Sequence, residues 1–206
     1  MSSNFGNLGY NKLLIGQQVI SPRWPGGKDM NRRWLTVLGC CLVAVLGCGP
    51  ESSSAQTYAR LGPLEVLGDG NSVLEFGVGE FDAFDGDEDA VAGFAEYRFG
   101  RKALFVGPGI GLMANADGAF FGYGSLYADL ALGAWFFTPF TGAGLYEQGD
   151  SRDLGGIVQF RSGMTISRRI GDLYLLGVRY AHVSNANLYD DNPGEDELHL
   201  TWTVRF

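Results

Sequence analysis

The chain has 206 residues, 46% of them hydrophobic, with 32 glycines and a formal net charge of −8, which suits one domain with a sizeable apolar content. A negative balance of this size excludes nucleic acid as a partner, because a phosphate backbone calls for a basic face. The three cysteines, Cys40, Cys41 and Cys48, all fall in the first quarter, so the remainder has no disulfide framework and no cysteine-based metal site.

In chain order, Arg32 and Arg33 precede the apolar run Trp34 to Gly47, too short to span a membrane comfortably and shaped like the core of a signal peptide. Met30 stands just before it, so residues 1–29 are either a long n-region or a misassigned start. Ser53 and Ala55 are small residues placed for cleavage after Ala55; the competing reading is Val45-Leu-Gly-Cys48, which resembles a lipoprotein box and would lipidate Cys48. Simple cleavage is favoured, since a closed barrel already holds itself in a membrane. The expected organisation is a leader over 1–55 and one domain over 56–206. That domain keeps 10 of the 15 basic and 21 of the 23 acidic residues, a formal charge of about −11.

Beyond the leader no run is apolar enough for a membrane helix, yet short alternating or glycine-rich segments recur between turn signals. They predict eight antiparallel strands near 72–84, 88–99, 103–114, 119–130, 134–148, 155–168, 172–185 and 196–206, an even count that fits a small eight-stranded transmembrane β-barrel of the all-β class. Asp85-Gly-Asp, Ala116-Asp-Gly118, Gly171-Asp and Asp191-Asn-Pro-Gly194 supply turn chemistry between them. Pro139, inside the fifth segment, predicts a bulge or a strand end. The aromatics Phe120, Phe121, Tyr123, Tyr127, Trp135, Phe136, Phe137, Tyr146 and Trp202 divide between interfacial girdles and ordinary packing. The acidic run Asp85 to Asp89 reads as a solvated loop, ahead of a cation site.

The last two strands carry the candidate chemistry. Side chains two apart on a strand share a face, about 7 Å apart along the backbone, and His182 and Ser184 are such a pair. A serine hydroxyl becomes a nucleophile when a neighbouring imidazole takes its proton, and an acid then orients the ring. Leu198, Leu200, Trp202, Val204 and Phe206 alternate with Glu197, His199, Thr201, Thr203 and Arg205, the lipid-out, polar-in pattern of a membrane barrel. If neither strand has a bulge, His182, Ser184 and Asp196 face outward while Glu195 and Glu197 face the lumen; a one-residue bulge would reverse the choice of acid. His199, on the lumenal parity, reads as a hydrogen-bonded interior residue. No Gly-x-Ser-x-Gly elbow, His-Glu-x-x-His helix or phosphate-cradling Gly-Lys-Ser run is present.

The run His182-Val-Ser-Asn-Ala-Asn-Leu188, then Asn192-Pro-Gly194, an acid and a short apolar strand resembles the lipid A 3-O-deacylases (PagL), within the acyloxyacyl hydrolase-like barrel proteins. The resemblance is sharp over about the last 25 residues of this chain. It extends more loosely to Trp135-Phe-Phe-Thr-Pro139 and Gly142-Ala-Gly-Leu-Tyr146. It implies an outer-membrane esterase acting on lipid A in lipopolysaccharide, with His182 as base, Ser184 as nucleophile, Asp196 as acid and Asn185 in the oxyanion hole. Asp196 departs from the family's glutamate by one methylene, and Asn185 has a second reading as a cap on the turn after the seventh strand. No cofactor or metal is implied, and a homodimer is left open. The alternatives are a non-enzymatic structural or ligand-binding barrel of the outer membrane and, opposed by the apolar stripe, a soluble lipocalin-like barrel.

The domain should fractionate with outer membranes and migrate anomalously on a gel until heated. Recovery as a soluble periplasmic monomer would overturn the membrane barrel.

Overall fold

The computed structural model describes residues 55–84 and 90–206. Among them the elements are all strands: β1 (Thr57–Leu61), β2 (Leu64–Leu67), β3 (Val73–Phe81), β4 (Ala90–Arg98), β5 (Val106–Asn115), β6 (Phe120–Leu132), β7 (Trp135–Glu147), β8 (Val158–Ile170), β9 (Tyr174–Ser184) and β10 (Glu195–Arg205). Residues 1–54 of the expected leader, with the lipidation alternative at Cys48 and all of the cleavage signal but Ala55, and the acidic run 85–89 lie outside the described residues.

Strands β3 to β10 form the wall. Each pairs antiparallel with its sequence neighbour, and the first and last, β3 and β10, pair with each other from Val73↔Arg205 to Phe81↔Glu197, which closes the cylinder. Closure gives every wall strand a partner on both sides, a necessity where no water can satisfy backbone groups. The eight wall strands coincide with the eight expected from the alternating segments. β1 and β2 were not anticipated. They form a hairpin whose Glu65, Val66 and Leu67 pair with Ala131, Leu130 and Asp129 of β6, just past the point where β5 ends its pairing at Val106↔Ala128. β6 outruns β5, and the hairpin covers the edge thereby exposed.

Alternation governs both faces. Outward are Val78, Val91, Ile110, Leu126, Leu145, Ile166, Val178, Leu200 and Trp202, all exposed large apolar residues, as a lipid-facing wall demands. Of the candidate girdle aromatics, Trp135 and Trp202 lie outside, whereas Phe121, Tyr123, Tyr127, Phe136 and Tyr146 are buried inside. Glycines make room for some of these rings. A Cβ on Gly77 would fall 2.1 Å from the Phe94 ring, and one on Gly111 2.4 Å from that of Tyr123.

The lumen is filled with paired charges. Arg179 Nη2 donates to Glu96 at 2.8 Å, Arg98 Nη2 to Glu75 at 2.5 Å, and Thr165 Oγ1 to Glu75 at 3.2 Å. Arg161 Nε donates to Glu197 at 3.0 Å while its Nη1 reaches the Tyr123 hydroxyl at 3.1 Å. The Arg179 guanidinium lies 3.8 Å from the Phe140 ring centroid. His199 is buried here, as its parity requires, but it packs edge-on against Phe94 at 5.1 Å and makes no hydrogen bond among the described residues. The expected interior hydrogen bond is therefore replaced by an aromatic contact.

Connections at the two ends differ. At one end the turns include 133–134 and 171–173; Gly133, at φ 60°, takes the left-handed conformation that the tight β6–β7 turn requires. At the other lie the loop between β7 and β8 (148–157) and that between β9 and β10 (185–194), the pattern of short periplasmic turns and longer external loops. Pro139 does not break its strand: β7 runs through it, paired with Met164. The ladder to β6 skips only the stretch opposite it, between Tyr127↔Phe140 and Leu130↔Phe137, and Thr138 Oγ1 bridges that gap to Asp129 at 2.7 Å. The missing proline N–H thus falls where no ladder bond is made.

Replacing Arg161 with Met would leave Glu197 buried beside no cation of its own and should lower stability by about 3 kcal/mol, read as earlier urea unfolding in lipid vesicles. Arg161→Met/Glu197→Leu should recover most of that. Equal losses in the single and double variants would show that the ring contacts of Arg161, and not the ion pair, carry the stabilisation.

Candidate active site

The site is set by the β9–β10 ladder, which runs from Glu195↔Val183 to Val204↔Tyr174 with no bulge. Asp196 therefore lies directly across from His182 on the outer face. Val183, between His182 and Ser184, points inward and is fully buried with Phe81, Phe121, Tyr146 and Leu154, so the segment bearing the candidate nucleophile and base is pinned from inside.

His182 Nδ1 lies 2.9 Å from Asp196 Oδ1. A carboxylate can only accept, so in the neutral imidazole the proton sits on Nδ1 and Nε2 keeps its lone pair. The direction of Nε2 follows from Gly194: a Cβ built there would stand 3.1 Å from His182 Cε1 and 3.4 Å from Nε2. The ring therefore lies against Gly194, at the loop end of β10 beyond Asp196. Gly194 has φ 67° and leaves the imidazole the space a side chain would occupy. Ser184 is half-buried and paired with Phe160 of β8, and its hydroxyl makes no hydrogen bond among the described residues. The His182 side chain is 49% exposed and that of Asp196 30%, which makes this an open surface site. A wide cavity of the barrel, lined by Phe136, Arg169, Asp172 and Arg205, opens at the opposite end.

The other two acids face inward. Glu197 is fully buried against Arg161, and Glu195 is buried and accepts the Asp82 backbone N–H at 3.1 Å. Only Asp196 shares a face with His182.

Asn185 occupies a different position from the one its expected role needs. Its side chain is buried, and Nδ2 donates to the carbonyls of Leu154 at 2.9 Å and Asp191 at 2.7 Å. Its own N–H donates to Asn192 Oδ1 at 2.9 Å. The amide holds the 185–194 loop together instead of presenting a donor to the outer face, a capping function. Immediately after it, Ala186 and Asn187 have φ of 53° and 61°, a conformation that costs L-residues of order 1 kcal/mol each and is concentrated at functional sites.

Sequence reasoning overlooked Tyr180. Two residues before His182 on the same face, its hydroxyl donates to Asp196 Oδ1 at 2.7 Å. Strand parity alone could have brought it to notice. Ser162, across β8 from His182, likewise faces outward and shares a 2.9 Å hydrogen bond with Thr141.

An eight-stranded antiparallel cylinder, apolar outside and polar within, defines an outer-membrane β-barrel protein. The chain belongs to the lipid A 3-O-deacylase (PagL) family, which matches residues 89–205, and is an outer-membrane lipid A deacylase, an esterase-type hydrolase. Among solved structures it is similar to the crystal structure of the outer membrane enzyme PagL, at 15% identity over 65% of this chain and 99% of that one, with a TM-score of 0.49. It is also similar to a de novo designed transmembrane β-barrel, at 11% identity over 66% and 96%, with a TM-score of 0.45. No curated protein matches the chain. Neither the family nor the fold gives grounds for a homodimer.

Asp196→Asn should reduce deacylation on the order of a hundredfold or more, the scale of a disabled acid–base relay, with the barrel still folded. Glu195→Gln and Glu197→Gln should be mild in rate. Lipid A deacylation assayed for the three side by side decides between them, and a severe loss confined to either glutamate variant would refute Asp196 as the acid.

Proposed function

We propose that the enzyme cleaves the ester at the 3-position of lipid A, with Ser184 as nucleophile, His182 as base and Asp196 as the orienting acid. The observation that carries this reading is the 2.9 Å contact of His182 Nδ1 with Asp196, which favours the neutral tautomer with a basic Nε2, two residues from Ser184 on the same strand.

The chemistry follows in two halves. Ser184 Oγ attacks the ester carbonyl as its proton passes to His182 Nε2, and Asp196 stabilises the imidazolium. The tetrahedral intermediate collapses by breaking the bond to the sugar oxygen, which leaves as a hydroxyl with the proton from His182. Water then attacks the acyl-serine, His182 accepts its proton and returns it to Ser184, and the fatty acid departs. No step calls on a metal or cofactor. The oxyanion needs donors worth about 3 kcal/mol each. With the Asn185 amide engaged elsewhere, they come from backbone N–H groups of the Ala186–Asn187 turn, neither of which makes a hydrogen bond among the described residues, and Asn185 shapes that turn.

An outward site suits a lipid substrate. Phe160 lies across β8 from Ser184, and Met164 and Ile166 continue the exposed apolar row toward the membrane, so the acyl chain stays in the leaflet while its ester meets the serine. The loops at this end of the barrel give water and the sugar access from the polar side.

Ser184→Ala and His182→Ala should each abolish release of the acyl chain, measured by mass spectrometry of lipid A from cells expressing the variants, while assembly in the outer membrane is retained. The double variant should be no worse than either single one, because the pair acts as a unit. Near-normal deacylation by Ser184→Ala would remove the nucleophile assignment.

A further inference from the structure

Asp196 has the shortest side chain that can offer a carboxylate, and it stands at the loop end of a lipid-facing strand, followed on its own face by the exposed apolar Leu198 and Leu200. A carboxylate there loses water without gaining a fixed partner unless the protein supplies donors. Two are present, both from β9. His182, directly opposite, contacts Oδ1 at 2.9 Å, and Tyr180 donates its hydroxyl to the same oxygen at 2.7 Å. Tyr180 is itself opposite Leu198. It therefore reaches Asp196 along the diagonal of the ladder, a span of about 7–8 Å between backbones that an aromatic side chain can cross. Its ring lies 6.3 Å from that of Phe84, a second contact that limits its swing.

We propose that Tyr180 is a positioning residue of the deacylase: its hydroxyl draws the short Asp196 carboxylate toward β9 and fixes Oδ1 where His182 Nδ1–H meets it. The proposal rests on the Ser184/His182/Asp196 reading and explains how an aspartate serves at that position. With one donor only, the Asp196 side chain would be free to turn about its first torsion toward solvent, and the imidazole would lose both its tautomer and its direction toward Ser184. With Tyr180 in place the carboxylate is held from two sides. A longer acid at position 196 would reach the ring across the ladder by its own extra methylene and would depend less on the phenol.

The test is a double-mutant cycle in the full barrel, reconstituted in vesicles containing lipopolysaccharide, with kcat and KM measured for wild type, Tyr180→Phe, Asp196→Glu and the double variant. Tyr180→Phe removes only an oxygen and keeps the ring beside Phe84. It should lower kcat about tenfold, the worth of one charge-assisted hydrogen bond, at unchanged KM. In the Asp196→Glu background the same substitution should change kcat by no more than about threefold, since the coupling between the two positions is what the cycle isolates. A wild-type kcat for Tyr180→Phe, an equal loss in both backgrounds, or an effect confined to KM would each overturn the proposal, the last by making Tyr180 a substrate contact. Ser184→Ala run alongside separates the levels: if it is inactive while Tyr180→Phe is normal, only the role of Tyr180 fails. If Ser184→Ala is active, the serine mechanism fails and the positioning role fails with it.

Discussion

The unbroken pairing of β9 with β10 is the constraint on which the site depends. Side chains on a strand repeat every two residues, so a slip of one residue would send Asp196 into the lumen and bring a glutamate out in its place. Nine residues of apolar-out, polar-in alternation on β10, from Glu197 to Arg205, hold that register against lipid on one side and paired charges on the other. The proposed catalytic geometry and membrane solvation thus depend on the same alternation, and neither can shift without the other.

Inside, the barrel takes an expensive route to filling its volume. Arg161, Arg179 and Arg98 are buried with Glu197, Glu96 and Glu75, and burying such ions is tolerable only because each has a partner and an aromatic or hydroxyl neighbour. Two of these pairs join strands that share no ladder, β8 to β10 and β9 to β4, and the third links the neighbouring strands β4 and β3, so together they brace the wall from within. The ionic layer also keeps Glu197 out of reach of the outer face, so of the three consecutive acids 195–197 only one is offered to the histidine.

At the loop end a different device takes over. Val183 is locked into an apolar plug, and Asn185 ties the outer loop to the carbonyls of Leu154 and Asp191. Ser184 stands between these two fixed points, followed by two residues in left-handed conformation. The strand end is therefore tied down on both sides of Ser184, where the proposed mechanism aligns the ester, and the outer side remains open to the leaflet. Tyr180 and Gly194 complete the surroundings of His182, one hydrogen-bonded to Asp196 and the other leaving its ring room.

Local pattern made much of this legible from the residues alone. Period-two alternation identified the eight wall strands and the outward face shared by His182, Ser184 and Asp196, because the direction of a side chain on a regular strand depends only on parity. It also turned His199, Glu195 and Glu197 inward. What depended on partners distant in sequence was decided by the tertiary structure: the β1–β2 hairpin on the exposed stretch of β6, the passage of β7 through Pro139 where a ladder gap accepts it, and the edge-on contact that replaces a hydrogen bond at His199. Asn185 shows the reason most clearly. Its type and place beside the serine suited an oxyanion donor, yet a carbonyl 31 residues away, at Leu154, claims its amide. Tyr180 is the converse, an ordinary outward tyrosine until the ladder brings Asp196 within 2.7 Å of its hydroxyl. Parity states which way a side chain points, but only the closed barrel states what it meets there.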